Sequence, residues 1–202
     1  MELRRVVVTG LGALTPNGNT LEEYWEGLVS GRSGAAPITN FDASKFKTRF
    51  ACEVKGFDPT AFMDRKEARK MDPFGQFAVV ASDEAMRDLG WTPESDRERE
   101  RMGVIWGSGI GGLLTFQEEC VNFGRGDGTP RFNPFFIPKM IADSSSGLIS
   151  MRHVLRGPSY VTMSACASAN NAMIDAFNYI RLGKVDAMVT GGGEASIQEA
   201  GV

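Results

Sequence analysis

The chain has 202 residues, 42% of them hydrophobic and 23% charged, and 22 Lys+Arg against 25 Asp+Glu leave a formal net charge of -3. This length can bury a real core in one or at most two domains, the composition is that of an ordinary globular protein, and the negative balance argues against wholesale nucleic-acid binding. No apolar run approaches the length of a membrane span, and the start Met1-Glu2-Leu3-Arg4-Arg5 leads into a short valine run rather than the long apolar stretch of a signal peptide.

Taken in chain order, residues 5–9 read as a buried strand carrying Val6-Val7-Val8 and closed by Gly10-Leu11-Gly12. Thr20, with Glu23 three residues on, reads as a capping box opening a helix that Gly31 stops. Apolar residues at Phe74, Phe77, Ala78, Ala81, Ala85 and Leu89 give a helical period ended by Gly90. The charge run over 92–102 reads as a solvated connection. Residues 103–106 form a second strand, ending in Gly107-Ser108-Gly109, and a helical stretch follows over 113–119. Residues 124–138, rich in Gly, Pro and Phe, read as a structured loop. A third strand, 160–163, runs into small residues. Ala169, Met173, Ala176, Phe177 and Ile180 then share one helical face, and a fourth strand, 186–190, ends in Gly191-Gly192-Gly193. Strands alternating with such helices predict an α/β layered fold with a largely parallel sheet. The chain stops at Val202, where such a sheet would still need its next covering helix, so the expectation is a fragment.

Three groups of residues could carry chemistry. Gly107, Gly109 and Gly112 satisfy G-x-G-x-x-G between a strand and a helix, but the helix leads into a loop where a dinucleotide site needs a second strand ending in an acid. The alternative is glycine that lets backbones approach closely. Cys166, in Ser164-Ala165-Cys166-Ala167-Ser168, follows a strand and opens a helix, and its neighbours are small. The free N–H groups and partial positive charge of a helix start favour a thiolate, the reactive form, against the alternative of a buried inert thiol. That dipole supplies only about 0.3–1 kcal/mol, so a further base or electrophile is needed. The one histidine, His153, reads as a surface or helix-end residue instead. Cys52 and Cys120 lack such a setting and read as structural. The three cysteines form no metal-ligand or CxxC spacing, which points to a reducing compartment and to no metal. Lys66, Arg69 and Lys70, at i, i+3 and i+4, put a positive patch on one face of a short helix. It is either a solvated face or a dock for an acidic partner.

Several blocks in order resemble the β-ketoacyl-acyl carrier protein synthases, most closely the type II elongating branch: the opening strand with Thr15-Pro16-Asn17-Gly18, Arg65-Lys66 with Arg69-Lys70-Met71-Asp72, Gly107-Ser108-Gly109-Ile110-Gly111-Gly112, Pro134-Phe135-Phe136-Ile137-Pro138, Arg156-Gly157-Pro158-Ser159 and the Cys166 motif. Ser164 stands where the family usually has Thr, which keeps a hydroxyl. The resemblance implies a thiolase-like layered fold of two similar halves, with residues 1–202 as the first, nucleophile-bearing half. The family's two catalytic histidines and its catalytic lysine belong to the second half, absent from this chain.

The implied reaction is 3-oxoacyl-acyl carrier protein synthesis in fatty acid elongation. Cys166 takes the acyl chain and lends its backbone N–H to an oxyanion hole. Malonyl-acyl carrier protein then condenses with loss of carbon dioxide. Ile110 would gate the acyl pocket, and Phe136 would line it from the neighbouring subunit of a homodimer. Lys66, Arg69 and Lys70 would dock the carrier protein. The resemblance implies no cofactor, no nucleic acid, no membrane and a cytoplasmic setting. Two other functions stay open: a synthase-like partner subunit that has lost catalysis, against which the retained Cys166 argues, and a dinucleotide-binding oxidoreductase built on the glycine loop.

Overall fold

The computed structural model describes residues 3–202; Met1 and Glu2, the first residues of the polar start, lie outside them. Helix α1, Leu21–Val29, precedes a two-residue antiparallel ribbon of β1, Ala36–Pro37, and β2, Phe50–Ala51. Then follow α2, Arg65–Ala68; α3, Pro73–Leu89; α4, Asp96–Glu100; and β3, Met102–Gly107. The second half of the chain runs α5, Leu113–Arg125; α6, Phe136–Met140; α7, Ser144–Arg152; β4, Ser159–Thr162; α8, Ser168–Arg181; and β5, Ala187–Gly192.

A parallel sheet of order β4-β3-β5 organises these elements. Its middle strand, β3, is buried at all six residues because both faces are covered. Met102, Val104 and Trp106 pack on one side with Ala78 and Met86 of α3 and Ile149 of α7. Ile105 points to the other side, against Ala172 and Ala176 of α8. This alternation is the period-two geometry of a strand, and each large apolar side chain so buried contributes about 1.5–3 kcal/mol. A smaller cluster of Met63, Ala68, Met71, Val79 and Val80 fastens α2 to α3.

Three of the four expected strands pair in this sheet. Residues 5–9 do not: the segment has no strand partner among the described residues, and Val8 is 77% exposed. The reason lies in the glycines after it. A Cβ at Gly10 would run into the Ala85 carbonyl oxygen and one at Gly12 into that of Ala81, so the chain is laid directly on α3 instead of pairing as a strand. The expected capping box at Thr20 is half formed. The Glu23 N–H donates to Thr20 Oγ1 at 3.2 Å, but the Glu23 carboxylate accepts from Asn19 N instead. The charge run over 92–102 is more ordered than a connection, since Ser95 and Glu98 form a complete capping box at the start of α4. The loop expected over 124–138 is shortened at both ends, because α5 runs to Arg125 and α6 begins at Phe136.

Candidate active site

Cys166 is exposed in a single 3-10 turn, Ala165–Ala167, between β4 and α8. Ala165 has φ 49°, a left-handed conformation that costs a residue with a Cβ about 1–2 kcal/mol. Side chains of the motif hold the turn there. Ser168 is buried; its hydroxyl donates to the Ala165 carbonyl at 2.7 Å and accepts from the Ser164 N–H at 2.9 Å. Thr162 Oγ1 donates to the Ser168 carbonyl at 2.8 Å, and Asn171 Nδ2 donates to Ser164 Oγ at 2.6 Å. Cys166 is thereby lifted out of the strand-to-helix corner instead of continuing into the helix. The roles of Ser168 and Asn171 escaped the sequence reading; a serine at a helix start, able to bond locally to the backbone, was the available signal.

Glycines seat this corner against the sheet. At Gly107, the end of β3, a Cβ would collide with the Ser168–Ala169 peptide, and at Gly192, the end of β5, with Ala169 Cβ at 2.6 Å. A Cβ built at Gly109 would stand 3.6 Å from the Ala165 Cα, so the turn after β3 touches the residue next to Cys166.

That turn forms one wall of a cleft of ≈ 580 Å³. Ile110, Leu113 and Phe116 face Met140 and Ile141, while Val161 and Met163 bring the wall up to the Cys166 motif. Ile110 is 50% exposed and sits on a fixed backbone. The N–H groups of Gly109 and Ile110 both donate to one Glu194 carboxylate oxygen, at 2.7 and 3.1 Å, and Gly111 N–H donates to Ser108 Oγ at 3.2 Å. Gly111 itself has φ 75°, and a Cβ there would meet the Met140 carbonyl oxygen at 2.6 Å. Glu194 was not foreseen: it follows the last strand's glycines 84 residues downstream of Ile110, and only the fold joins the two.

The glycine loop is thus occupied by protein. Gly107 abuts α8 and Gly112 abuts the Lys139 carbonyl, which accounts for these glycines by close backbone packing and leaves no open cradle for a pyrophosphate. Phe136 does not line the cleft within this chain. It stacks on Phe116, which does, at 6.4 Å, and on Phe132 at 5.6 Å.

Lys66, Arg69 and Lys70 are all exposed, but the helix beneath them is a single turn. Only Lys66 lies inside α2. Arg69 is its C-cap and Lys70 follows, where Met71, Asp72 and Pro73 redirect the chain into α3. Lys70 Nζ stands 5.6 Å from the Phe135 ring centroid, next to the Phe136 stack. Glu67, facing the other way, pairs with Arg152 at 3.2 Å.

His153 caps the C-terminus of α7, as a helix-end residue, but it is not a surface one: Nε2 lies 3.0 Å from Asp83 Oδ1 in a largely buried pair. Burial pushes the Asp83 carboxyl up, but the His153 ring beside it and the hydrogen bonds and charge of Arg152 outweigh that and hold the carboxyl below its ordinary value. His153 belongs to a bracket between α3 and α7 and not to the Cys166 corner. Cys52 and Cys120 are exposed as Cys166 is, so burial gives no support to a structural role for them. What sets Cys166 apart is the held turn and the cleft beside it.

Residues 3–202 match the family described as "Beta-ketoacyl synthase, N-terminal domain". Among curated proteins, the chain is 47% identical over 197 residues to the 3-oxoacyl-acyl-carrier-protein synthase 2 of Synechocystis sp., covering 98% of this chain and 47% of that protein. It is 40% identical over 194 residues to the protein of the same name from Staphylococcus aureus, covering 96% of this chain and 46% of that one. The chain spans about half the length of the curated relatives it matches. Among solved structures, the ishigamide ketosynthase/chain length factor superposes with a TM-score of 0.87 at 33% identity, over 98% of this chain and 49% of that one. A β-ketoacyl synthase from Burkholderia phymatum gives a TM-score of 0.76 at 29% identity, over 92% of this chain and 45% of that one. The α/β arrangement described above is accordingly that of the thiolase-like ketosynthases, and the chain belongs to the β-ketoacyl synthase family through its N-terminal domain.

Proposed function

We propose that this chain is the nucleophile-bearing half of a 3-oxoacyl-acyl carrier protein synthase acting in fatty acid elongation. The observation that carries the reading is Cys166 held by a left-handed Ala165 at the head of α8, beside an apolar cleft. Such a corner exposes a sulfur to a thioester and points backbone N–H groups toward the same place.

In the first stage the Cys166 thiolate attacks the acyl thioester carbonyl. The Cys166 N–H contributes to the oxyanion hole, and the carrier's pantetheine thiol departs, leaving the acyl chain on sulfur. In the second stage malonyl-acyl carrier protein loses carbon dioxide. Its carbanion attacks the acyl-enzyme, releasing a 3-oxoacyl product two carbons longer and restoring the thiol. Groups outside residues 1–202, the family's histidine pair and lysine, would promote that decarboxylation. Ile110 gates the depth of the cleft. Lys66, Arg69 and Lys70 receive the acidic carrier protein. The enzyme is a cytoplasmic homodimer in which Phe136 of the neighbouring subunit closes the pocket. The apolar residues that α8 leaves exposed, Met173, Ile174 and Phe177, suit a face that further protein covers. Among the described residues, no helix is long and apolar enough to cross a membrane.

The test uses the enzyme in which residues 1–202 are joined to the second half of the family fold. Cys166→Ala abolishes condensation of acyl- with malonyl-carrier protein. Retained condensation in that variant would take Cys166 out of the reaction, whereas no condensation by the wild-type protein either would leave the partner-subunit reading, in which catalysis has been lost.

A further inference from the structure

Asp72 is the most completely buried carboxylate among the described residues, at 1% exposure, and the reaction outlined above makes no use of it. Its position is unusual because two helix starts converge on it. One carboxylate oxygen caps α3, accepting from Phe74 N at 3.3 Å. The other accepts from both the backbone N–H and the hydroxyl of Thr115, at 2.9 and 2.7 Å. The residue capping the start of helix α5 is Gly112, which has no side chain to do so, so the free N–H at the helix's third position is satisfied by a carboxylate 43 residues away in sequence. Burial raises the Asp72 carboxyl above its ordinary value, against the pull of the Thr115 and Phe74 donors and of Lys139. A hydrophobic residue would fill the space without that desolvation, so the carboxylate's distinguishing property is what it ties together.

The tie joins two parts of the proposed machinery. Asp72 follows Lys70 by two residues, so its main chain belongs to the basic segment. Thr115 lies between Leu113 and Phe116, which both line the cleft, and one turn beyond Ile110. Ile110 is held from its other side by Glu194, and Gly112 N–H donates to the Met140 carbonyl at 2.9 Å. Of these three anchors, only Asp72 comes from the basic segment. The cation–π contact of Lys70 with Phe135 runs in parallel with it.

We propose that Asp72 is a positioning residue that fixes the Ile110–Phe116 wall of the acyl cleft to the carrier-docking segment, so that chain-length discrimination depends on the Asp72–Thr115 bond. The proposal rests on the reading of the cleft as the acyl pocket. Removing the Thr115 hydroxyl leaves α5 anchored by one bond fewer and lets the wall give way, which flattens the preference among donors of different length.

The test compares acyl transfer from carrier protein loaded with short and with long acyl groups, in the enzyme carrying both halves of the fold. Thr115→Val reduces the ratio between preferred and disfavoured lengths by roughly twofold to thirtyfold, the usual scale for residues that modulate coupling without touching ligand. Thr115→Ser, which keeps the hydroxyl, returns the wild-type ratio. Thr115→Ala removes the same hydroxyl and replaces the valine variant if that one does not fold. A purely structural bond lowers the melting temperature in the hydroxyl-free variants but leaves the ratio unchanged, and that outcome overturns the proposal. Ile110→Phe, measured alongside, separates the two levels. If it shifts the ratio while Thr115→Val does not, the pocket stands and the tie falls; if neither shifts it, both fall.

Discussion

Replacing Ile110 by Phe enlarges the one branched apolar side chain in the turn after β3, and the structure sets the size of the consequence. A side chain that outgrows its space can be relieved by moving the backbone beneath it, but here that backbone is pinned. Glu194 holds the Gly109 and Ile110 N–H groups, Ser108 holds Gly111, and the Met140 carbonyl fills the space a Cβ on Gly111 would need. The benzyl rotamer that turns inward extends into the ≈ 580 Å³ cleft toward Met140, Ile141 and Met163, and it is this rotamer that obstructs a long acyl chain. Overpacking a fixed site costs about 1–3 kcal/mol, which corresponds to a rate loss of roughly fivefold to 150-fold. Only donors long enough to reach past residue 110 meet this cost; short ones stop before it. The assay is acylation of Cys166 from carrier-protein donors of graded length, with wild type and Ile110→Phe in parallel. A loss confined to long donors supports the reasoning. Equal loss at every length would place Ile110 outside the acyl path and attribute the damage to the Cys166 corner, which Gly109 touches.

Reversing Lys66 and Arg69 to Glu raises the KM for carrier-protein substrates, spares kcat and leaves small pantetheine thioesters unaffected, because exposed charges mainly steer and orient an acidic partner. The wild-type enzyme loses carrier-protein affinity with added salt and the reversed enzyme less so, which steady-state kinetics over a salt series reads directly. Arg152→Met removes the guanidinium that bonds Asp83 and Glu67, and it leaves Asp83 with His153 alone; thermal melting at pH 7 should show a loss of about 1–3 kcal/mol. Because the Asp83 carboxyl is held below its ordinary value, its contribution is present above the unfolded carboxylate range and is lost as the pH falls through the folded value. The gap between wild type and variant therefore narrows below about pH 4; a gap that stays constant down to pH 2 would refute the ion-pair account.

The sequence made the sheet's interior legible because fully buried parallel strands announce themselves as short apolar runs closed by glycine. β3, β4 and β5 fall where those runs predict. The same pattern misled at residues 5–9, because a valine run records that a segment can be covered and not which neighbour covers it. Gly10 and Gly12, read as a strand's end, serve instead to cross α3. The Cys166 corner was visible through its small residues and its place between a strand and a helix. The groups that bend it were less so, since Ser168 and Asn171 act on backbone atoms through a left-handed turn that no periodicity encodes. Glu194 and Asp72 were invisible as site residues for a simpler reason. Each acts on a turn or helix start more than 40 residues away, and only the closed fold shows which N–H groups await a carboxylate. The basic patch was found by helical spacing, and the structure keeps its charges exposed on a segment that is only briefly helical.

The central claim is that Cys166 is the acyl carrier, and exposure alone does not single it out, since Cys52 and Cys120 are also free and exposed. Mapping the acyl adduct by peptide mass spectrometry, after incubating the enzyme with a long-chain acyl-carrier protein, separates the three in one measurement. The account predicts a thioester on Cys166 alone, lost on treatment with hydroxylamine. An adduct on Cys52 or Cys120 with Cys166 unmodified would contradict it.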